Sequence, residues 1–131
     1  MKLNMGEIRI MNAVQQLTRV MPKDCIIEEN LVSFLIPQNL MGKAIGKKAI
    51  NIKDLEKNLK KRVEFVASYE KVEDVFANAL EVNYLSSKKN DSKIIINLDS
   101  VSKAKVMKNN SRTKRVKELI KRNYGVELII K

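Results

Sequence analysis

The sequence has no histidine, no tryptophan and a single cysteine among its 131 residues. Without histidine, the Ser-His and Cys-His nucleophile systems and the metal sites built on imidazole are excluded. The one cysteine, Cys25, has no partner for an internal disulfide or a thiolate zinc site, and its apolar neighbours Ile26 and Ile27 predict that it is buried. We therefore expect no enzymatic activity, no metal and no cofactor.

Long apolar runs are also lacking, and aromatic residues make up only 5% of the chain. No run approaches the roughly 18 apolar residues that a membrane-spanning helix needs. The first residues, Met1–Asn4, do not form a secretory signal, so we expect a cytoplasmic protein that does not enter membranes. The few aromatic residues lie in apolar patterns and do not predict a platform on which bases stack.

Positive charge, by contrast, is abundant. The chain holds 26 Lys and Arg residues against 15 Asp and Glu residues, a formal net charge of +11 at pH 7. This balance points to a polyanionic partner, with nucleic acid ahead of an anionic membrane surface. The membrane is disfavoured because no basic stretch is paired with an apolar helix face that carries Trp or Phe.

The spacing of apolar residues predicts one order of elements twice, namely helix, strand, strand, helix, helix, strand. In the first half we predict a helix over Glu7–Met21, strands over Cys25–Ile27 and Leu31–Ile36, helices over 39–46 and Ala49–Leu59, and a strand over Arg62–Ala67. In the second half we predict a helix over Val72–Leu80, strands over Val82–Leu85 and Lys93–Leu98, helices over Ser100–Val106 and Ser111–Asn123, and a strand over Val126–Ile130. Asn4 and Glu7 are spaced as a capping box for the first helix.

The two halves are related by a fixed offset. Leu55 lies 61 residues before Val116, and Leu59 lies 61 residues before Ile120. We infer an internal duplication and an α+β fold, in which each half is a small three-stranded sheet packed with helices. The predicted domains are residues 1–70 and 71–131.

Glycine and lysine cluster around the turn between the two helices of the first half, over Gly42–Lys48. This composition is similar to the phosphate loop of nucleotide hydrolases, but only three residues separate the two glycines where that loop needs four. Lys48 also stands where that loop needs a magnesium-binding hydroxyl. Nucleotide hydrolysis is therefore not predicted.

The order of elements and the motifs around this turn resemble the type II KH domain. The motifs are Gly42–Lys47 before the turn and Leu55–Lys57 after it. Two such units in tandem, beginning at Glu7–Arg9 and ending with Lys121–Val126, resemble the short NusA-like proteins of archaea. The resemblance covers nearly the whole chain and implies RNA binding, a role in transcription termination or antitermination, and RNA polymerase as a partner. We expect a monomer.

The turn of this family is Gly-x-x-Gly, and it clamps about four nucleotides of a single strand. The glycines let the backbone approach a phosphate, and the N-terminus of the next helix favours the anion. Gly46, Lys47 and Lys48 match the first three positions, whereas Ala49 replaces the second glycine. We therefore expect a clamp that is weakened but not abolished.

Residues that flank this turn are further candidates for RNA contact. Lys43 adds positive charge just before the turn. Ile45, Ile50 and Ile52 either line an apolar floor for bases, as the resemblance implies, or belong to the core. For Ile52 the helical spacing to Leu55 favours the core.

The corresponding turn of the second half, Met107–Asn110, lacks both glycines but lies in a basic segment. Residues 71–131 hold 14 basic and 7 acidic side chains, net +7, whereas residues 1–70 hold 12 and 8, net +4. We expect this unit to contact phosphates through side chains, independently of sequence and with strong salt dependence. The candidate residues are Lys108, Asn109, Asn110, Arg112, Lys114 and Arg115.

Two alternatives to an RNA-binding transcription factor stay open. In one, the altered turns leave the fold as a docking module on RNA polymerase or the ribosome, with little intrinsic affinity for RNA. In the other, the protein takes part in the maturation of ribosomal RNA.

Overall fold

The computed structural model describes residues 3–131, which form two compact units. The first unit ends at Ser68, and the second spans Tyr69–Lys131, so the division falls two residues before the predicted domain boundary. The first unit consists of α1 (Met5–Thr18), β1 (Asp24–Ile27), β2 (Leu31–Pro37), α2 (Met41–Ile45), α3 (Ile50–Leu59) and β3 (Arg62–Ser68). The second consists of α4 (Val72–Leu80), β4 (Tyr84–Asn90), β5 (Lys93–Leu98), α5 (Ser100–Lys108), α6 (Asn110–Tyr124) and β6 (Glu127–Ile130).

Each unit contains one three-stranded sheet, and the two sheets have the same topology. The strand orders are β1-β2-β3 and β4-β5-β6, and in each sheet the central strand pairs antiparallel with the strand before it and parallel with the strand after it. The predicted mixed α+β fold, with helices packed against small sheets, is thus confirmed. The predicted order of elements also occurs in both units.

The core of the first unit forms where α1, α2 and α3 cover β2. The residues that meet there include Met11, Val14, Cys25, Val32, Phe34, Ile36, Ala44 and Leu55. Phe34 also meets Phe65 of the neighbouring strand edge to face, with ring centroids 5.8 Å apart. Cys25 is fully buried, as its apolar neighbours predict.

The first helix begins two residues before the predicted Glu7 and ends three residues before the predicted Met21. Asn4 and Glu7 form the predicted capping box, in which each side chain accepts a hydrogen bond from the other residue's backbone N–H. The helix stops at Thr18 instead of Met21 because Arg19 takes a left-handed conformation, with φ of 63°. The Thr18 hydroxyl stabilises this end by donating to the Val14 carbonyl and accepting from the Val20 N–H.

The prediction for the fourth strand, Val82–Leu85, is wrong. The strand β4 extends to Asn90, and its residues from Leu85 onward are exposed. Its polar side chains pair with apolar residues of β5, as in the pairs Lys88 with Ile95 and Lys89 with Ile94. Residues 86–90 are all polar and show no alternation of apolar and polar residues, so periodicity could not detect this part of the strand.

Candidate nucleic-acid interface

A four-residue loop, Gly46–Ala49, joins α2 to α3 in the first unit and is unusual in its backbone conformation. Gly46 has a φ of 76°, and Lys48 and Ala49 also have positive φ, 54° and 58°. The loop is closed by the Ala49 N–H, which donates to the Gly46 carbonyl over 3.1 Å. A left-handed conformation costs a residue with a Cβ about 1–2 kcal/mol, so the loop holds two strained residues in succession.

The side chain of Asn51, in the first turn of α3, links the two helices on either side of the loop. Its amide Nδ2 donates to the carbonyl of Lys43, 3.2 Å away, and so ties the start of α3 to α2. A Cβ at Gly46 would lie 2.8 Å from the same nitrogen. Residue 46 therefore favours glycine on two grounds, its positive φ and the space that Asn51 occupies.

The role of Asn51 was not predicted from the sequence. The available signal was an amide side chain in the first turn of a helix that follows a glycine turn, a position where Asn often bonds to nearby backbone groups. Nothing in the apolar spacing distinguishes Asn51 from a solvated residue, since it lies outside the core.

The loop presents positive charge at the start of a helix. The side chains of Lys43, Lys47 and Lys48 are exposed, whereas Ala49 is half-buried. Ala49 is the N-cap of α3 and no side chain caps this helix, although the Ile50 N–H donates to the Lys47 carbonyl. Exposed lysines beside a helix N-terminus favour an anion such as a phosphate.

The isoleucines around the loop differ in exposure. Ile45 and Ile52 are half-buried, and Ile50 is 53% exposed. Ile52 is therefore not a fully buried core residue, although its neighbour on the same helix face, Leu55, is. The apolar surface beside the loop comes chiefly from Ile50.

The turn of the second unit has a different construction from the expected four-residue turn. Met107 and Lys108 belong to α5 and Asn110 begins α6, so Asn109 is the one residue between the helices. None of the residues 107–110 has a positive φ. The Asn109 amide donates backward to the Lys105 carbonyl and does not cap α6. This turn thus lacks the strained loop of the first unit.

The basic residues of α6 divide between the surface and the interior. Arg112 and Lys114 are exposed, as is Lys108 at the end of α5. Arg115 does not lie on the expected exposed basic face, because it is only 8% exposed. It shares a helix side with Leu119, which is fully buried.

A shallow groove of about 220 Å³ runs beside the exposed side of α6. Its walls come from α6 and from the edge strand β6. The lining residues are Lys114, Lys117, Glu118, Lys121, Glu127 and Leu128. Three lysines within eight residues make this a positively charged surface, on which the carboxylates of Glu118 and Glu127 are the counter-charges.

The sequence matches the family model described as KH domain over residues 7–106, which is more than half of the chain. The chain belongs to the KH domain family. The matched region begins in α1 of the first unit and ends in α5 of the second, so it includes the whole Gly46–Ala49 loop. KH domains bind single-stranded nucleic acid with such a loop, so membership supports RNA binding.

A solved structure has a similar fold over nearly the whole chain. Among 41 matching chains is the one described as "Crystal structure of APE1850", which superposes with a TM-score of 0.82 at 25% sequence identity. The alignment covers 98% of this KH protein and 100% of that chain. No curated protein matches the sequence.

In this KH protein, one alanine of the loop has a backbone conformation that suits glycine. Ala49, which replaces the second glycine of the family turn, has a φ of 58° and still closes the turn through its N–H. The replacement therefore adds a methyl group and strain without opening the turn.

No helix among the residues from 3 to 131 is both long and apolar enough to cross a bilayer.

Proposed function

We propose that the protein binds single-stranded RNA, with the Gly46–Ala49 loop as its primary phosphate site. The observation that carries this proposal is the loop's conformation. Two successive residues with a Cβ, Lys48 and Ala49, are held in the left-handed region although this conformation is unfavourable for each. Strain of this kind is concentrated at binding sites, where the surrounding structure maintains it.

The chemistry of the loop supports a phosphodiester ligand. Lys47 and Lys48 supply two exposed positive charges, and the N-terminus of α3 supplies a partial positive charge beside them. The half-buried methyl of Ala49 limits how closely a phosphate approaches the backbone. We therefore expect moderate affinity that depends on the lysine side chains more than on backbone N–H groups.

The second unit supplies auxiliary contacts. Lys108, Arg112 and Lys114 are exposed, and Asn109 and Asn110 lie beside them. Without a strained loop, such side chains neutralise phosphates but do not read bases, so their contribution is independent of sequence. Arg115 is not part of this surface because it is buried.

The cellular role that we propose is transcription termination or antitermination, in the cytoplasm and in contact with RNA polymerase. The support is the resemblance of the tandem units to type II KH domains and to the NusA-like proteins of archaea. We propose that the protein acts as a monomer and without enzymatic activity.

Two measurements test this proposal. Fluorescence anisotropy with a short unstructured RNA and a DNA of the same sequence, over a salt series, measures binding directly. In a reconstituted transcription assay, we expect the wild-type protein to change the fraction of transcripts that end at a terminator. Binding without any effect on termination would support RNA binding but contradict the proposed role in transcription.

A further inference from the structure

The outer side of α5 exposes more apolar surface than any other helix of comparable length in the described chain. Val101 and Met107 are 78% and 79% exposed, the highest values for large hydrophobic residues among residues 3–131. The side of α5 that faces its own unit is limited to Ser102 and Val106. Two large apolar side chains on one short helix therefore point to solvent.

These side chains share one ridge of the helix. Val101, Ala104 and Met107 follow each other at intervals of three residues, a spacing that makes them neighbours on the helix surface. Ala104 is also exposed, and its small side chain leaves a notch between the two larger ones. A notch of this kind accepts one apolar side chain of a second helix, as a hole accepts a knob in helix packing.

Lysines border the ridge. Lys103 is exposed on one side of it and Lys108 on the other, where Lys105 also lies and donates from its ammonium to the Glu81 carbonyl over 2.9 Å. We call the surface formed by Val101, Lys103, Ala104, Met107 and Lys108 the α5 face. An apolar centre with a positively charged border complements a helix that is apolar in the centre and acidic at its borders.

The two large apolar residues of the α5 face differ in their surroundings from the corresponding residues of the first unit. At the offset of 61 residues, Met107 corresponds to Gly46 and Val101 corresponds to Leu40. Gly46 begins the strained loop, and Leu40 packs against the core of its own unit. In the second unit both positions carry large apolar side chains that have no core contact of this kind and no phosphate loop beside them.

We infer that the α5 face docks an acidic amphipathic helix of a partner protein. The partner's apolar residue fills the notch over Ala104, and its carboxylates lie near Lys103 and Lys108. Methionine suits such a surface because its flexible, polarizable side chain adapts to the shape of a partner. This inference does not depend on whether the first unit binds RNA.

The test uses the full chain and a labelled synthetic peptide that forms a helix with leucine on one face and glutamate on both borders. A scrambled peptide of the same composition is the first control. We expect the helical peptide to bind and to shift backbone NMR signals mainly over residues 100–108. Replacing Val101→Gln with Met107→Gln should weaken binding by about tenfold or more, as truncation of a hot spot does.

Matched variants separate the α5 face from general effects. Met5→Gln with Leu85→Gln removes two side chains that are 75% and 70% exposed elsewhere, and we expect peptide binding to be unchanged. Lys103→Glu should weaken peptide binding more than Lys23→Glu, which alters an exposed lysine outside the α5 face. Ala104→Leu fills the notch and should also weaken binding, while thermal melting confirms that the helix remains folded.

Two results would overturn the inference. In the first, the helical peptide binds no better than its scrambled control, or its NMR shifts lie outside residues 100–108. In the second, the Val101→Gln and Met107→Gln variant loses affinity for RNA as well as for the peptide, which would assign the α5 face to nucleic acid. RNA affinity that does not change when Lys47 and Lys48 of the first-unit loop are replaced would contradict the proposed function and leave this inference intact.

Discussion

Asn51 and Gly46 form the contact that gives the first turn its shape. The Asn51 amide nitrogen lies 2.8 Å from where a Cβ at residue 46 would be, and it donates to the carbonyl of Lys43 at the end of the preceding helix. The Asn51 side chain thus links the start of α3 to α2 and occupies the space beside Gly46.

Replacing Gly46→Ala is expected to destabilise the protein by about 1–2 kcal/mol, because the added methyl must adopt a left-handed conformation and displace Asn51. Gly42→Ala is the matched control, since nothing lies within 4 Å of a Cβ there and the residue is inside α2. Alanine in a helix interior should stabilise by roughly 0.5–1 kcal/mol. Urea denaturation measures both changes, and equal effects at the two glycines would contradict the geometry of the loop.

Replacing Ala49→Gly is expected to stabilise the protein by about 1 kcal/mol, because glycine adopts the left-handed conformation without the steric cost. The same change should raise affinity for RNA, since it removes the methyl that limits approach to the backbone. Ala104→Gly, in helical α5, is the control and should instead destabilise by roughly 1 kcal/mol. A loss of stability in Ala49→Gly would contradict the positive φ at this residue.

Replacing Lys108→Gln together with Lys114→Gln should reduce the salt dependence of RNA binding. Each phosphate contact on a single strand contributes about 0.7 to the slope of log K against log salt, so the pair should lower the slope by about 1.4. The loss should be the same for RNAs of different sequence. Lys88→Gln with Lys89→Gln, in the exposed strand β4, is the control, and an equal change there would contradict a specific contact on α5 and α6.

The first half of the chain was more predictable from sequence than the second. Apolar residues such as Leu55 recur at helical spacing, and the core they form sets the order of elements. Polar residues decide the details that the prediction missed. Thr18 ends α1 with its own hydroxyl, and Ser87 to Asn90 extend β4 without any apolar pattern.

The candidate site was predictable in composition but not in shape. The family turn identified Gly46, Lys47 and Lys48, yet dihedral angles depend on contacts such as that of Asn51, which no motif contains. In the second unit, the offset that carries Gly46 onto Met107 suggested a second four-residue turn. Instead, α5 runs to Lys108 and α6 begins at Asn110, so that one non-helical residue, Asn109, separates them and no glycine interrupts either helix.

Acid should weaken the start of α5 through Asp99. The Asp99 carboxylate caps the helix by accepting from the Ser102 N–H over 2.7 Å, and this hydrogen bond lowers the pKa of Asp99 below 3.8. Because the folded pKa is lowered, the stabilisation is present above pH 3.8 and is lost as pH falls through the lowered pKa. Asp99→Asn keeps a capping oxygen that does not titrate, so its stability relative to wild type should rise as pH falls through this range. Thermal melts over a pH series measure this, and a constant difference would contradict the linkage.

The central claim is that the Gly46–Ala49 loop binds RNA through its lysines, and one pair of variants tests it most directly. Lys47→Glu with Lys48→Glu changes the charge of the loop, and Lys88→Glu with Lys89→Glu makes the same change at two adjacent exposed lysines of β4. Fluorescence anisotropy with an unstructured RNA compares their affinities, and thermal melts verify that both remain folded. We predict that the loop variant loses several-fold more affinity than the β4 variant. Equal losses would show that only net charge matters and would contradict a binding site at the loop.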